Sequence, residues 1–224
     1  MKKIILTVAA VFALSFANAQ DLKSSKGENY LPEAGDWAVG FNADGLFNYV
    51  GNAFNHTANT APSVTYQNAG TFVGKKFTTA TEAYRVIANF QVNSGSETNA
   101  AGNKATNSSF ALMAGLGKEW RKGKTRLQGF YGADAMLGIS SGSSTDAAGV
   151  ETKNGMGFSI GAQGFLGAEY FLFPKISIGA QYTYGLSITS QAAREVGGVK
   201  TTNATSGFNL GGVGVSSINM TLHF

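Results

Sequence analysis

Apolar and polar residues alternate along most of the chain from Trp37 onward. In the segment KISIGAQYTYGLSIT (residues 175–189), apolar side chains occupy every second position from Ile176 to Ile188, and Ser, Gly, Gln and Thr fill the positions between them. Successive side chains of a β-strand point to opposite faces, so a period of two predicts a strand with one apolar and one polar face. The chain is therefore predicted to consist mainly of such strands.

Eight segments show this pattern. They are residues 37–49, 70–79, 83–92, 109–120, 125–139, 157–172, 175–189 and 208–224. The second segment alternates most weakly, and the pattern does not assign its inward face. An even number of strands allows the first and the last to meet at the same end of an up-and-down sheet.

The connections between these segments alternate between short and long. Short turns are predicted near 79–82, 121–124 and 173–175. Long loops, rich in Asn, Ser, Thr, Gly and Ala, are predicted over 51–68, 94–107, 140–154 and 190–206. This order predicts an antiparallel meander with four long loops at one end.

The distribution of charge indicates which face points inward. Five charged residues fall on polar faces, namely Arg85, Glu119, Arg126, Asp134 and Glu169. A soluble barrel would need the apolar set inside, but these side chains are too bulky for the narrow interior of eight strands. Polar residues inside a closed sheet and apolar residues outside are typical of barrels that cross a bilayer. The predicted fold class is all-β: an eight-stranded antiparallel up-and-down transmembrane β-barrel with a polar interior and a lipid-facing apolar exterior.

The first residues of the chain predict export. A short basic stretch, MKK, precedes the apolar run IILTVAAVFALSFA, and ANA before Gln20 provides small residues for cleavage. Together they predict a cleaved signal peptide over 1–19 rather than a membrane-spanning anchor. Residues 20–36 are predicted to form a periplasmic N-terminal segment and 37–224 the barrel. The predicted location is the outer membrane of a Gram-negative bacterium.

Composition excludes several classes of site. The chain has no cysteine, which rules out a disulfide framework, a thiolate metal site and a lipid-anchored cysteine. Lys2 and Lys3 belong to the predicted signal peptide, so its removal would lower the formal net charge from +4 by these two charges to +2. The basic composition therefore gives no reason to predict binding of nucleic acid.

The chain ends inside its last predicted strand, in SSINMTLHF. Ile218, Met220, Leu222 and Phe224 alternate with polar residues up to the final position. With the signal peptide and the alternation over 37–224, this ending resembles the small eight-stranded outer-membrane β-barrel family of the OmpA transmembrane-domain and OmpX type. The resemblance implies that these four residues are a C-terminal assembly signal read by the outer-membrane barrel-insertion machinery. Because nothing follows the last strand, no peptidoglycan-binding domain is expected.

The five interior charges are predicted to form an ion-pair network, because an unpaired buried charge is costly. Arg85 and Arg126 come just after short turns and Glu119 and Glu169 just before them, so all four are expected near the periplasmic end. A plug is favoured over a gate or ion path, because eight strands leave an interior just wide enough for side chains to fill. Many inward glycines predict more room than usual in the interior, for water. They are Gly40, Gly115, Gly117, Gly161, Gly179, Gly185 and Gly211.

Aromatic residues are predicted near both ends of the strands, as in the interfacial belts of membrane barrels. The predicted aromatic girdle consists of Trp37, Tyr49, Tyr84, Phe110, Trp120, Phe158 and Tyr170. A sugar-binding platform is the alternative, but contact with the lipid interface already accounts for these residues.

The sequence offers little support for an enzyme. Some eight-stranded outer-membrane barrels modify lipid A with a histidine, a serine and an acidic residue. Here His56 falls in the first predicted loop and His223 points inward at the periplasmic end, and neither has an evident serine near the lipid boundary. Two isolated histidines without cysteine also make a poor metal site. No catalytic residue, metal or cofactor is predicted.

The predicted function is a structural or surface-interaction role, because loops on a rigid scaffold often carry binding. The alternative is a narrow channel for water, ions or small solutes, and a lipid-modifying enzyme is less favoured. The expected partners are outer-membrane lipid, lipopolysaccharide, the barrel-insertion machinery, and an extracellular ligand or envelope protein. The protein is expected to be a monomer and not to bind nucleic acid.

Overall fold

The computed structural model of the chain describes residues 22–42, 52, 71–211 and 217–224. The predicted signal peptide (1–19), Tyr49 and His56 lie outside these residues, as does the predicted loop 51–68 apart from residue 52. Over the described part of the chain, no helix is long and apolar enough to cross a membrane.

Within the described residues, eleven β-strands form one antiparallel sheet. The strands are β1 (Trp37–Asn42), β2 (Thr71–Thr79), β3 (Glu82–Thr98), β4 (Lys104–Lys122), β5 (Leu127–Thr145), β6 (Glu151–Phe173), β7 (Ile176–Gln191), β8 (Arg194–Val196), β9 (Val199–Thr202), β10 (Thr205–Gly211) and β11 (Ser217–His223).

Eight of these strands close into a ring. β1 to β7 pair in chain order, β7 also pairs with β11, and β11 pairs with β1 in a register that sets Ala38 opposite His223. β10 pairs with the later part of β7, and a β8–β9 hairpin extends from β6. The predicted eight-stranded antiparallel meander is thus confirmed as a closed ring. Closure removes the exposed edges that an open sheet would present.

The prediction of a long loop over 94–107 is wrong. The β3–β4 ladder continues from the Ser94–Ser108 pair to the Thr98–Lys104 pair, so that only 99–103 connect the two strands. Residues in this region are polar on both faces, which removes the alternation that identified the other strands. Ladder hydrogen bonds join backbone groups and need no apolar face, so the strands continue.

The predicted loops over 140–154 and 190–206 are also mostly strand. β5 and β6 are connected only by 146–150. The region 190–206 contains the end of β7, the β8–β9 hairpin and the start of β10. The strands are therefore longer than their alternating segments, and the connections at this end, called the far end below, are shorter than predicted.

The connections at the opposite end are short, as expected, but one is displaced. The turn predicted over 121–124 spans 123–126, because β4 continues to Lys122. Arg121 is therefore a strand residue and lies buried inside the ring. This end, with its turns after β2, β4 and β6, is called the turn end below.

Side chains alternate between the two faces of the ring wall. On β3, Tyr84, Val86 and Phe90 are exposed on the outer face, and Arg85 and Ile87 between them are buried inside. The same outward exposure of large apolar residues recurs on the other long strands. Examples are Leu116, Tyr131, Leu137, Ile160, Leu166, Tyr182, Leu186, Phe208 and Leu210.

The inward face of β2, which the sequence pattern left unassigned, consists of Val73, Lys75 and Phe77, all buried. Phe72 on the outer face is exposed. Because Phe72 and Phe77 lie on opposite faces and two lysines are adjacent, the segment shows no clear apolar stripe.

Candidate functional site

Glu119 on β4 is the centre of a buried group of charges. Its carboxylate lies 2.8 Å from Lys75 Nζ on β2, 3.0 Å from Arg85 Nη1 on β3 and 3.7 Å from Arg121 Nη1 further along β4. Glu119 is fully buried, and the three cations are buried as well. Three positive charges from three strands therefore surround one carboxylate inside the ring.

Two further carboxylates balance the remaining positive charge. Asp134 on β5 lies 3.1 Å from Arg85 Nε, and Glu169 on β6 forms an ion pair with Arg121. Glu169 also accepts a hydrogen bond of 3.0 Å from the Ser177 hydroxyl. The group is called the charge layer below and consists of Lys75, Arg85, Glu119, Arg121, Asp134 and Glu169. Every charge in it has an opposite charge within 4 Å, which buried charges require.

Two phenylalanine rings fill the space around the charge layer. The Arg85 guanidinium carbon lies 3.8 Å from the centroid of the Phe165 ring, and Lys75 Nζ lies 5.0 Å from that of Phe130. Both distances are within the range of cation–π contacts. A Cβ atom added at Gly132 would collide with the Phe165 ring, so this glycine makes room for the ring.

At two of the inward glycines, the space that the sequence led us to expect for water is filled by side chains. An added Cβ atom would collide with the Asp134 side chain at Gly117 and with Glu169 at Gly179. The space that these glycines create is thus occupied by the charge layer itself.

An aromatic group lies on the turn-end side of the charge layer. The His223 ring centroid is 5.5 Å from that of Phe77 and 5.2 Å from that of Phe171. The Arg121 guanidinium carbon lies 5.3 Å and 5.7 Å from the same two phenylalanine rings. Phe77, Phe171 and His223, called the aromatic floor below, are all buried.

The N-terminal segment packs against the turn end. The Gly35 N–H donates a hydrogen bond of 2.9 Å to the Phe77 carbonyl, and the Phe77 N–H donates one of 2.8 Å to the Asp36 carbonyl. The Lys175 N–H donates one of 3.2 Å to the Tyr30 carbonyl. Residues 30–36 are therefore bound to the same strand ends that carry the aromatic floor.

Arg126, predicted to belong to the interior network, lies against this N-terminal segment instead. Its guanidinium carbon is 3.6 Å from the centroid of the Tyr30 ring. The physical reason is the displaced turn: Arg126 falls within 123–126, where the alternation of a strand no longer fixes the direction of a side chain. The other four predicted charges, Arg85, Glu119, Asp134 and Glu169, are brought together in the charge layer.

Sequence reasoning missed two members of the charge layer, Lys75 and Arg121. Arg121 follows Glu119 by two positions, so extending the alternation of β4 through the predicted turn would have placed it inside. Lys75 lies on the weakly alternating strand β2, and no sequence signal distinguishes it from Lys76, which is less buried.

Beyond the charge layer, towards the far end, the described strands of the ring line two adjoining cavities of about 460 and 600 Å³, and a further cavity of about 530 Å³ lies among the far ends of β3 to β6. The first two are both lined by Ala111, Ser140, Gln191 and Thr205, so they adjoin each other. The first cavity has no charged residue among its described lining, and the second has Arg194. These two adjoining cavities together are called the polar cup below.

The turn-end members of the predicted aromatic girdle are Trp37, Tyr84, Trp120 and Tyr170, at outward positions of their strands. Trp37 and Tyr84 are about half exposed. Lys118 Nζ lies 5.9 Å from the Tyr84 ring centroid and 5.4 Å from that of Trp120. Exposed rings with nearby ammonium groups suit a boundary between apolar and polar surroundings.

The remaining described girdle residues, Phe110 and Phe158, lie further towards the far end. The Phe110 ring meets that of Phe90 edge-on, with centroids 5.9 Å apart, and Phe158 is half exposed. Tyr49 lies outside the described residues.

The residues predicted as the assembly signal form the outer side of β11 and the chain end. Ile218, Leu222 and Phe224 are exposed, and Met220 is half-buried. The Trp37 N–H donates a hydrogen bond of 2.7 Å to the Phe224 carbonyl, so the last residue is paired with the first strand.

One arrangement superficially resembles a catalytic triad. Ser177 Oγ lies 3.4 Å from His223 Nε2 and donates to Glu169. The carboxylate contacts the serine rather than the second imidazole nitrogen, and Ser177 is fully buried, so the histidine is not oriented as a base and substrate has no access. The described residues contain no cluster of three or more His, Cys, Asp or Glu that could hold a metal.

No protein-family model matches the chain, and no curated protein is significantly similar to it in sequence. The functional interpretation therefore depends on the geometry of the ring.

Proposed function

We propose that the ring is an eight-stranded outer-membrane β-barrel with a sealed lumen, and that it serves a structural or surface-interaction role in the envelope. The observation that carries this proposal is the set of exposed apolar residues on the outer wall of the ring, such as Val86, Leu116, Leu137, Leu166 and Leu186, called the apolar belt below. Monomeric soluble proteins rarely expose contiguous apolar surface on this scale, and large exposed patches mark membrane or protein contacts.

The extent of the belt supports a membrane over another protein as the covering. Outward apolar residues run from Tyr131 to Ile139 on β5 and from Ile178 to Ile188 on β7. A β-strand needs about 9–11 residues to cross a bilayer. Further towards the far end both faces become polar, as over Ser94–Thr98 of β3, which fits emergence into water. Membrane lipid and lipopolysaccharide are the proposed neighbours of the belt.

The interior supports a sealed lumen. The charge layer with Phe130 and Phe165 around it, the aromatic floor and the N-terminal segment succeed one another towards the turn end. The side chains of the charge layer and floor are buried, and the one cavity described among them measures only about 20 Å³. A solute would have to separate paired buried charges to pass, at a cost of several kcal/mol. A sealed lumen favours a role for the outer wall and the far end.

The polar strand extensions at the far end are the proposed interaction surface. β3 to β6 continue beyond the belt as paired strands, so this surface is held by ladder hydrogen bonds and is more rigid than long loops would be. Extracellular molecules or envelope proteins are the proposed partners.

The membrane proposal can be tested by fluorescence quenching with brominated lipids. In a Trp37→Phe/Trp120→Phe background, Leu116→Trp and Val199→Trp each provide one fluorophore at positions with similar exposure, 69% and 66%. Bromines near the bilayer centre should quench the tryptophan at 116 strongly, because Leu116 lies in the belt. The tryptophan at 199, on the β8–β9 hairpin beyond the belt, should be spared. Equal quenching at both positions, or none at 116 in the refolded protein, would refute insertion.

A narrow channel for water, ions or small solutes is the second candidate. The polar cup favours it, because half of the lumen already offers a path wide enough for small solutes. Conduction through the whole lumen would require the charge layer and the aromatic floor to open, which single-channel recording can detect.

A further inference from the structure

The polar cup is a blind cavity inside the ring. Asn89 on β3 and Thr189 on β7 line the same cavity although their strands are not neighbours, so the cavity spans the interior. On the turn-end side, Ile87 and Met136 converge over Gly115, where an added Cβ atom would meet both side chains. The charge layer follows beyond them. Among the described residues, the turn-end side of the cup is therefore closed, and the far end is the side from which a ligand would enter.

Several inward side chains of the cup are short. Successive registers of β4, β5 and β6 place Ala111 beside Ser140, and Ser140 beside Gly157. On the far side, Gln191 pairs in register with Gly157 and with Thr205 of β10. These small residues leave the space between opposite walls unfilled. At the turn end the larger inward side chains fill the corresponding space, so no cavity of this size forms there.

Apart from Arg194 at the second cavity, the described walls of the cup are uncharged and rich in hydrogen-bonding groups. Most of the described polar lining consists of amide and hydroxyl side chains, among them Asn89, Gln91, Ser140 and Gln191, and Arg194 is added at the second cavity. Amide groups and hydroxyls both donate and accept hydrogen bonds. Apolar residues, among them Phe110, Leu112, Met113, Ile139 and Phe158, contribute to the lining as well.

This chemistry selects a class of ligand. A charged ligand would lose its hydration in the first cavity without gaining a counter-charge, because no charged residue is described in its lining and the charge layer is already balanced. An apolar ligand would leave the amides and hydroxyls without hydrogen bonds. A neutral polyhydroxylated molecule avoids both costs, because it carries no charge and can hydrogen-bond to the amides and hydroxyls. The cavity volumes lie within the range of about 300–1,000 Å³ common for small-molecule sites.

We propose that the polar cup is a binding site for a neutral saccharide, one to two sugar rings in size, that enters from the far end. The site goes beyond the role proposed above and does not depend on membrane insertion, because its walls lie inside the ring. In an outer-membrane orientation the opening would face the outside of the cell.

The test uses a panel of neutral disaccharides, maltose, lactose and trehalose, with galacturonate as the anionic comparison. Binding is measured by saturation-transfer difference NMR on the refolded full-length protein. The detergent must carry no sugar headgroup, because an alkyl maltoside would compete for the same site. Binding of at least one neutral disaccharide at low millimolar concentration, and more weakly of galacturonate, is expected.

Two matched variants locate the binding. Ala111→Phe adds a ring at an inward position shared by both cavities, and Leu137→Phe adds one on the outer face, where Leu137 is exposed. Affinity should fall at least tenfold in Ala111→Phe and remain unchanged in Leu137→Phe. Both variants must first match the wild type in circular dichroism.

Three results would overturn the proposal. They are no binding of any neutral disaccharide to the wild type, equal binding by Ala111→Phe and wild type, and preference for galacturonate that Arg194→Gln abolishes. The last result would instead make the cup an anion site. None of these outcomes bears on membrane insertion, which the quenching experiment measures separately.

Discussion

The charge layer and the polar cup share the strands β3 to β6, and along these strands they differ in the size and charge of the inward residues. Along β4, the inward positions run from Arg121 and Glu119 at the turn end through Gly115 to Ala111 and Ser109 at the far end. The first two belong to a filled interior and the last two line a cavity. Alternation decides which side chains point inward, and their volume decides whether the lumen is sealed.

The turn-end half also depends on mutual pairing of its charges, whereas the far-end half has backbone ladders and separate side-chain hydrogen bonds, such as that from Asn93 to Ser109. Buried ions are tolerated when each has an opposite charge nearby, and loss of one member leaves the others uncompensated. Polar side chains facing a cavity have no such dependence. The two halves should therefore respond very differently to substitution.

The largest effect is expected for Glu119→Ala. It removes the carboxylate that faces Lys75, Arg85 and Arg121, and we expect the free energy of unfolding to fall by about 3–5 kcal/mol, as for other broken buried ion pairs. The measurement is a urea titration of the refolded protein in micelles. Glu97→Ala is the matched control, because Glu97 is an exposed glutamate at the far end of β3, and its unfolding midpoint should not move. Equal midpoints for the two variants would contradict the comparison.

A smaller loss is expected for Glu169→Ala. Arg121 keeps a second carboxylate, Glu119, at 3.7 Å, so the expected loss is about 3 kcal/mol, the lower end of the range for a buried pair. The double variant Glu169→Ala/Arg121→Met restores charge balance and should recover part of this loss in the same titration. A double variant less stable than Glu169→Ala would show that the two residues are not coupled in this way.

The smallest of the three stability effects is expected for Tyr30→Ala. This change removes the ring beneath the Arg126 guanidinium, and a cation–π contact of this kind contributes about 1 kcal/mol. Tyr30→Phe keeps the ring and should behave as the wild type. Thermal unfolding of both variants checks the difference, and equal losses in the two would mean that the ring contact does not hold the N-terminal segment.

Much of the ring could be predicted from alternation, because one face of each strand is apolar over the belt. The pairing of the first and last strands followed from the need of a sheet in hydrocarbon to close, so that every backbone N–H and C=O is paired. The strand ends at the far end could not be predicted, because both faces there are polar. Ladder hydrogen bonds join backbone groups, so they do not require a particular residue type that could be recognised in the sequence. The turn after β4 was misplaced because Arg121 and Lys122 look like turn residues, although strand pairing continues through them.

The interior site was predicted only in part, for the same reason. Four members of the charge layer lie on clearly alternating segments, so the alternation predicted that their side chains point inward. They are Arg85, Glu119, Asp134 and Glu169. Lys75 was missed because β2 carries no apolar stripe, and Arg126 was assigned inward because it was counted as a strand residue. The polar cup was not foreseen, because the size of a cavity depends on how residues from six strands meet across the ring.

Single-channel recording of the refolded protein in a planar bilayer tests the sealed lumen most directly. The wild type, with insertion verified by quenching, should show no discrete openings, because the charge layer and the aromatic floor together close the turn-end half. Glu119→Gln, which keeps the shape of the side chain and removes its charge, is recorded in parallel. Discrete openings in the wild type whose conductance changes in Glu119→Gln would contradict the account, because ions would then be passing through the charge layer.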